Sequence, residues 1–245
     1  SGPDHIVSTE SATTERIEVL RGPATLFFGS GAIGGVVNVI DNRVPTSNDT
    51  EGSVQYTHRS VASEDELSFS LTTGSDSLAV HADGFWRDGG DYRVPSNPEM
   101  HDEHDEHDEH DDHGHEDGHD DHDEVFNGYL ANSAAEAKGG NIGVSYLLED
   151  GYVGVSVGRT ERLYGVPGHS HGDESVKADM SQDRVQILGE TALTGSLFNK
   201  VNAKMGYTDY EHFELEGDDI GTRFTSELTE ARIELAFNEF AGWRG

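Results

Sequence analysis

A run of histidines and carboxylates between Met100 and Val125 carries the side chains best suited to chemistry. The 24 residues from 101 to 124 contain 8 histidines, 14 carboxylates and 2 glycines, and no lysine or arginine. Imidazole nitrogens and carboxylate oxygens are ligands of borderline divalent metals, Zn²⁺ above all. Such a composition cannot build a packed core, so we expect a solvated, mobile segment. Its predicted metal ligands are His101, His104, His107, His110, His113, His115, His119 and His122.

A second histidine pattern stands in the stretch YGVPGHSHGDE, which runs from Tyr164 to Glu174. Its Pro-Gly pair favours a turn that could fix the neighbouring side chains. His169 and His171 are therefore our best candidates for fixed metal ligands, assisted by Asp173 or Glu174. A polar loop cluster that binds no metal is the competing interpretation, and the residues alone leave both open.

A catalytic metal site is not indicated by the sequence. The stretch from His115 to His119 has its two histidines four residues apart, but Gly118 and the acidic surroundings oppose the helix that an HExxH site needs. No nucleophile and base are found at a useful spacing either, so we expect no enzyme.

The amino-acid composition limits the kinds of molecule that the chain is expected to bind. Its 245 residues hold 48 carboxylates against 16 basic residues, for a formal charge of −32, which argues against nucleic-acid binding. The absence of cysteine leaves only His, Asp, Glu and water as metal ligands. No apolar stretch approaches a membrane-spanning helix. The opening residues Ser1 to Asp4 do not resemble a signal peptide, so we expect either a cytosolic protein or a mature or truncated chain.

From about Glu51 onward, apolar and polar residues alternate with a period of two, which predicts strands with two different faces. Including a first strand near Gly52 to Arg59, we count about eight strands. The alternating apolar positions include Leu67, Phe69 and Leu71; Leu78 and Val80; Ile142 and Val144; Val153, Val155 and Val157; Val185 and Ile187; Met205 and Tyr207; and Ile233 and Leu235.

The connections between these strands alternate in length. Short turns are expected at 73–76, 149–151 and 194–196, and longer polar connections at about 88–128, 165–180 and 211–222. This alternation is typical of a transmembrane antiparallel β-barrel with short periplasmic turns and longer external loops. A soluble β-sandwich also alternates, but its second face would not be expected to read Gly, Ser, Lys and Glu opposite a steady aliphatic band.

The first 45 residues differ from the rest. Residues 16–40 read RIEVLRGPATLFFGSGAIGGVVNVI and contain a formal GxGxxG. A dinucleotide site would need a helix to begin there, whereas a β-branched strand follows at Val36. The segment instead resembles the end of the plug domain of TonB-dependent outer-membrane receptors, through IEVLRGP at 17–23 and GSGAIGGVVNVI at 29–40. Phe28 and Thr25 are small departures from the usual residues of that family.

The resemblance implies an all-β protein of the bacterial outer membrane: residues 1–45 as the C-terminal part of a plug, and residues 46–245 as the N-terminal part of a β-barrel. A barrel that encloses a plug needs about 22 strands, so eight strands form an incomplete barrel. The resemblance also implies nutrient import, with the TonB-ExbB-ExbD complex engaged through a missing N-terminal segment, and with outer-membrane lipid around the barrel.

Strand parity then places the loop at 88–128 outside the cell, followed by the stretch with His169 and by a third loop with His212. His81 is expected to face the lumen beside Asp83, as a satisfied pair rather than as a transit ligand for the metal.

The YGVPGHSH stretch with an acidic, His-rich loop resembles the zinc-importing branch of the family, which implies Zn²⁺ as the transported substrate, with no organic cofactor. The alternative is a receptor of the same family for a siderophore, haem, or Ni²⁺, Cu²⁺ or Co²⁺, since copper and nickel also bind such ligands well. A secreted or periplasmic metal-buffering protein is a further class, which the plug motif argues against.

Overall fold

The structure is a computed structural model that describes residues 14–22, 35–96, 127–171, 174–194, 197–217 and 219–238. Within those ranges the regular structure is almost entirely strand. None of the described segments forms a helix long and apolar enough to cross a membrane.

Twelve strands follow one another in the described part of the chain. Their bounds are β1 Arg16–Leu20, β2 Val36–Ile40, β3 Glu51–Arg59, β4 Glu64–Ser75, β5 Leu78–Gly89, β6 Tyr92–Arg93, β7 Tyr129–Leu130, β8 Ala135–Leu148, β9 Gly151–His171, β10 Glu174–Ala192, β11 Phe198–Glu216 and β12 Asp219–Phe237.

Eight of these strands form one antiparallel sheet, in the order β12-β11-β10-β9-β8-β5-β4-β3. Neighbours in the sheet are neighbours in the chain, except that β5 pairs with β8 across the segment that contains β6 and β7. Two small sheets, β1 with β2 and β6 with β7, stand beside it. The expected antiparallel sheet of about eight strands is confirmed.

The sheet has two ends with different connections. One end, which we call the turn end, carries the connections 76–77, 149–150 and 193–197. The other end, which we call the loop end, carries the connections 60–63, 90–134, 172–173 and 217–218. Asp76 adopts a left-handed backbone (φ 51°), as the first residue of a tight two-residue hairpin often does.

The outer face of the sheet carries the aliphatic band that the alternation predicted. Its members are exposed although they are large and apolar, which a soluble protein avoids over so wide an area and a lipid-facing barrel wall requires. They include Leu71, Leu78, Val80, Ile142, Val144, Tyr146, Val153, Val155, Val157, Val185, Ile187, Met205, Tyr207, Ile233 and Leu235.

The inner face, opposite the band, receives the chain that links β2 to β3. Val44 and Pro45 are buried there, and the Arg43 carbonyl approaches Gly143 so closely that a Cβ at Gly143 would collide with it. Asp41 pairs with the Arg43 Nε at 3.2 Å and with Arg184 Nη1 of β10 at 3.8 Å. The linker is therefore held against the wall by both packing and charge.

Two of the predicted long connections are wrong. Residues 165–180 and 211–222 are not loops over most of their length, because β9 continues to His171, β10 begins at Glu174, β11 continues to Glu216 and β12 begins at Asp219. These segments are rich in polar and charged residues, so their composition resembles a loop. Cross-strand backbone hydrogen bonds nevertheless extend the hairpins beyond the apolar band.

Candidate functional site

His81 and Asp83 lie on the inner face in a fully connected polar network. Thr72 Oγ1 is 2.8 Å from His81 Nδ1, His81 Nε2 is 3.0 Å from Asp83 Oδ2, and the Asn141 amide donates to Asp83 Oδ1 at 2.8 Å. His81 and Asp83 are 5% and 4% exposed, and a buried polar group is stable only when its hydrogen bonds are made. Both ring nitrogens of His81 are engaged, which confirms the expectation of a satisfied pair.

The long connection between β5 and β8 is closed at its base by a stem. β6 and β7 pair through Tyr92 with Leu130 and Arg93 with Tyr129, and the Val94 N–H donates to the Gly128 carbonyl at 3.0 Å. The Arg93 guanidinium lies 5.6 Å from the Tyr129 ring centre and donates to its hydroxyl at 3.2 Å, a bond that raises the pKa of the arginine. The chain thus leaves for the His/acid run and returns from it at neighbouring points.

Asp91 and Ser133 fasten this stem to the start of β8. Asp91 Oδ1 accepts from the Ser133 N–H at 2.8 Å and from the Ala134 N–H at 3.0 Å. The Ser133 hydroxyl donates to the Leu130 carbonyl at 2.6 Å and accepts from the Tyr92 N–H at 2.8 Å. Because Ser133 is buried, its N–H and its hydroxyl need such partners within the protein.

The stem is also tied to the next hairpin, through Asn132. Its amide donates to the Val176 carbonyl at 2.7 Å and to the Val166 carbonyl at 3.1 Å. At this point the register of β9 and β10 is broken by a bulge, and Gly168 takes a positive φ of 74°. Beyond the bulge the register pairs Ser170 with Ser175 and His171 with Glu174. The base of the His/acid run and the base of the second histidine pattern are therefore fixed to each other.

His212, which was expected in a third loop, lies instead within β11 on the inner face. It is 2% exposed; its Nδ1 is 3.3 Å from the Tyr210 hydroxyl, and its ring centre is 5.6 Å from that of Phe224. In the same inner-face row lie Met180 of β10 and Arg162 of β9, both buried. A short Tyr-Glu-His stretch in a polar segment looks like a loop, whereas the strand period of two puts its histidine on the packed side.

The predicted metal ligands divide into two groups. His169 and His171 lie at the end of β9 and Glu174 begins β10, with His171 and Glu174 facing each other in the register. His101, His104, His107, His110, His113, His115, His119, His122 and Asp173 lie outside the described residues. Among the described residues, no three His or carboxylate side chains are close enough to hold a metal ion.

The stem residues Asp91, Asn132 and Ser133 were missed in the sequence. Each is a single polar residue in a polar stretch, and only the pairing of β5 with β8 brings Asp91 and Ser133 together. One signal was present: asparagine tolerates the left-handed backbone that Asn132 adopts here (φ 56°), as turn residues often do.

Comparison with known proteins agrees with the fold and adds a family match for the first residues. Residues 1–36 match the TonB-dependent receptor plug domain. Over 42 residues, 17% of this chain and 5% of the relative, the chain is 60% identical to a protein of Acinetobacter baumannii named probable TonB-dependent siderophore receptor PirA. Over 29 residues, 12% of this chain and 4% of the relative, it is 72% identical to the ferric enterobactin receptor PirA of Pseudomonas aeruginosa.

Solved structures resemble the whole described sheet. A mutant of the ferric enterobactin receptor PfeA from Pseudomonas aeruginosa superposes with a TM-score of 0.60 at 16% identity, over 94% of this chain and 34% of the receptor. The same receptor in complex with BCV-L6 gives a TM-score of 0.60 over 95% of this chain and 34% of the receptor. At this identity the likeness establishes the fold, and the chain spans about a third of the length of those receptors.

The named relatives are receptors rather than enzymes. The first segment matches a plug-domain model, and the superposition gives the barrel fold of the rest, whose exposed aliphatic band is of the kind that faces lipid in such barrels. The chain therefore resembles the TonB-dependent receptors in two ways, by the plug-domain match of residues 1–36 and by the barrel fold of its sheet.

Proposed function

We propose that this chain is part of a receptor that imports a metal, bound or free, through the outer membrane with energy from the TonB-ExbB-ExbD complex. The observation that supports it is the plug segment followed by a barrel sheet with an apolar outer face. In this proposal residues 1–45 belong to the plug and residues 46–245 to the barrel. The energising complex would be engaged by a part of the receptor that precedes this segment.

The first ligand class to test is a siderophore complex. Both named relatives carry that function in their names, one of them for ferric enterobactin, so the comparisons favour this alternative over zinc. The inner face offers donors suited to a bulky, oxygen-rich chelate on the side away from lipid. Arg162, Tyr164 and Gln186 are buried on that face, and neighbouring strands add Tyr210 and Phe224.

Zinc is the second candidate, and the histidines of this chain support it. The run at 101–124 combines imidazoles with carboxylates, and the hairpin register sets His171 opposite Glu174. A chain of formal charge −32 attracts a cation and repels an anionic chelate. In this proposal the loop at 88–128 faces outward and gathers Zn²⁺ at many weak sites, and His169 and His171 hold it more tightly, with Asp173 or Glu174.

One uptake experiment separates the two candidates. The whole receptor is expressed in cells that lack their own receptors, with and without TonB, and the cells are supplied with radiolabelled iron–enterobactin or radiolabelled zinc. TonB-dependent iron accumulation alone would support the siderophore, and TonB-dependent zinc accumulation alone would support zinc. Uptake of neither ligand would contradict both proposals.

The metal-binding roles proposed for the histidines are tested with separate variants. Replacement of all eight histidines of the run by asparagine keeps the segment length and carboxylates, and His169→Asn with His171→Asn tests the hairpin. His58→Asn is the matched control, because His58 is an exposed loop-end histidine outside the predicted ligand set. Zinc uptake should fall with the first two changes only. If it persists after both, the assigned ligands are wrong.

Protonation offers a second check on the zinc candidate. An imidazole must be neutral to bind a metal, and the many carboxylates of the run favour its protonated form. Zinc affinity of the receptor should therefore fall steeply as the pH drops through the histidine range, near 6.5. Calorimetric titration at two pH values on either side of it measures this, and equal affinities would exclude imidazole ligation.

A further inference from the structure

A cavity on the outer face of the sheet stands apart from the inner-face site. Its volume is about 410 Å³, and side chains of five neighbouring strands, β5 and β8 to β11, surround it. Its lining includes Trp86, Lys138, Arg159, Glu161, Leu163 and Phe213, all on the outer face by strand parity. Arg87, Ala137 and Arg162, which have inner-face parity, also line it, but the other lining residues, among them the exposed Trp86, lie on the outer face. The cavity is therefore built mainly from side chains that point away from the plug.

The cavity lies at the upper border of the aliphatic band. Along β9 the outer face changes from Val157 to Arg159, and along β10 from Ile187 and Val185 to Asp183. The rise from Leu148 at the turn end of β8 to Lys138 is roughly 25 Å along the membrane normal, at about 3.3 Å per residue and a tilt of about 40°. That is the height of the apolar band of such barrels, so the cavity meets the lipid at headgroup level.

Cations and carboxylates form an exposed network across this border. Lys138 Nζ is 3.1 Å from Glu161 Oε2, Arg159 Nε is 2.8 Å from Glu161 Oε1, and Arg159 Nη1 is 3.1 Å from Asp183 Oδ2. The side chains of Lys138 and Arg159 are 67% and 57% exposed. Ion pairs in such positions contribute little to stability, and both cations have further N–H donors, so a phosphate can share them at small cost.

Apolar side chains stand beside these cations. Trp86 is 48% exposed although it is the largest apolar residue of β5, and Phe213 and Leu163 line the same cavity. Tryptophan is enriched where acyl chains meet headgroups, because its ring is largely apolar and its N–H is polar. The cavity thus combines a wall suited to the upper part of an acyl chain with donors suited to phosphate.

We propose that this cavity binds the phosphorylated headgroup of an outer-leaflet lipid, with Lys138 and Arg159 as the phosphate contacts and Trp86 against the start of the acyl chains. Continuity with the aliphatic band selects a lipid as the occupant, because the lipid whose chains cover that band must place its headgroup at this height when the loop end faces outward. Glu136 and Asp179 also line the cavity, so binding should strengthen when a divalent cation offsets their charge.

The test uses the whole receptor in detergent and native mass spectrometry to count bound lipid. The probes are a diphosphorylated glycolipid (lipid A) and the same lipid after phosphatase treatment, each with Mg²⁺ or with a chelator. The double variant Lys138→Gln with Arg159→Gln should bind the phosphorylated lipid at least several-fold less than wild type. Removal of the phosphates should lower binding to wild type by a similar factor. Chelation of Mg²⁺ should lower the binding of the phosphorylated lipid and leave the binding of the dephosphorylated lipid unchanged.

Lys200→Gln with Arg232→Gln is the matched control. It also removes two cations from exposed ion pairs, with Glu190 and Glu234, but on the inner face and toward the turn end of the sheet, away from the proposed lipid site. Unchanged heat-dependent mobility on gels establishes that each variant still forms the barrel. Equal lipid retention by the double variant and wild type would overturn the proposal. So would equal retention of both lipids, or displacement by millimolar inorganic phosphate alone.

Discussion

The described residues include two histidine–aspartate pairs in opposite settings. His81 and Asp83 are 3.0 Å apart on the inner face, with side chains 4% and 3% exposed. His58 and Asp65 are 2.8 Å apart near the loop end, with side chains 52% and 43% exposed. The distances are almost the same, but only the buried pair lies within a buried hydrogen-bond network. In that network Thr72 bonds to His81, and Asn141 bonds to Asp83. Burial, and not the distance, decides how much such a pair contributes to stability.

Removal of the buried carboxylate should have the largest effect. Asp83→Ala leaves the His81 Nε2 and the Asn141 amide without their acceptor in a site closed to water, so we expect a loss of about 3 kcal/mol in unfolding free energy. The measurement is chemical unfolding of the whole receptor in detergent, followed by tryptophan fluorescence. Asp65→Ala is the matched control, and an equal shift for both variants would contradict the comparison.

Loss of the Asn141 contact should have an intermediate effect. Asn141→Ala removes one donor to Asp83 but keeps His81 in place, at an expected cost of about 1 to 2 kcal/mol. Gly158→Ala should act in the same direction, because a Cβ at Gly158 would collide with the Asn141 Oδ1 and push the amide away. The same unfolding curves measure both variants. A Gly158→Ala variant as stable as wild type would mean that Asn141 can move without cost.

A smaller effect is expected at Thr72. Thr72→Val keeps the shape of the side chain and removes only the bond to His81 Nδ1, which we expect to cost about 1 kcal/mol. Thr57→Val, on the neighbouring strand β3 of the same face, is a control without a role in the network. The proposed ordering fails if Thr72→Val is as damaging as Asp83→Ala.

Loss of the carboxylate from the exposed pair, His58 and Asp65, should change the unfolding free energy least. Hydrogen bonds from Tyr56 and then His58 hold the pKa of the Asp65 carboxyl below its usual range, so any contribution it makes is present at neutral pH. Since the folded-state pKa is lowered, that contribution should disappear only as the pH falls below the ordinary aspartate pKa of about 3.9. Asp65→Asn should leave the unfolding curve at pH 7 unchanged within error. A clear destabilisation there would mean that the loop end is less accessible to water than its exposure indicates.

The same contrast applies to the predicted metal ligands. Histidines that bind metal must be free to exchange protons and neighbours, whereas His81 already has both nitrogens occupied. His212, packed against Tyr210 and Phe224 within β11, belongs to the buried kind although its sequence surroundings resemble a loop. The candidate ligands of the His/acid run lie outside the described residues, so this contrast leaves their assignment a prediction.

Much of the fold follows from the sequence alone. The period of two assigns Leu78 and Val80 to one face and His81 and Asp83 to the other, because successive side chains of a strand alternate. The two-residue turn at 76–77 then fixes the register of β4 and β5, so that Thr72 lies opposite His81. The outer band and the buried pair were therefore predictable from local patterns, and the plug motif supplied the resemblance to TonB-dependent receptors.

The tertiary structure decided what depends on distant pairing. Asn141 reaches Asp83, and Ser133 reaches Asp91, only because β5 pairs with β8 across a long connection. No local pattern encodes that register. The extension of β9 through β12 into polar segments was hidden for a related reason: cross-strand backbone bonds hold these hairpins, and composition does not report them. The cavity at Lys138 and Arg159 likewise exists only once five strands have been placed side by side.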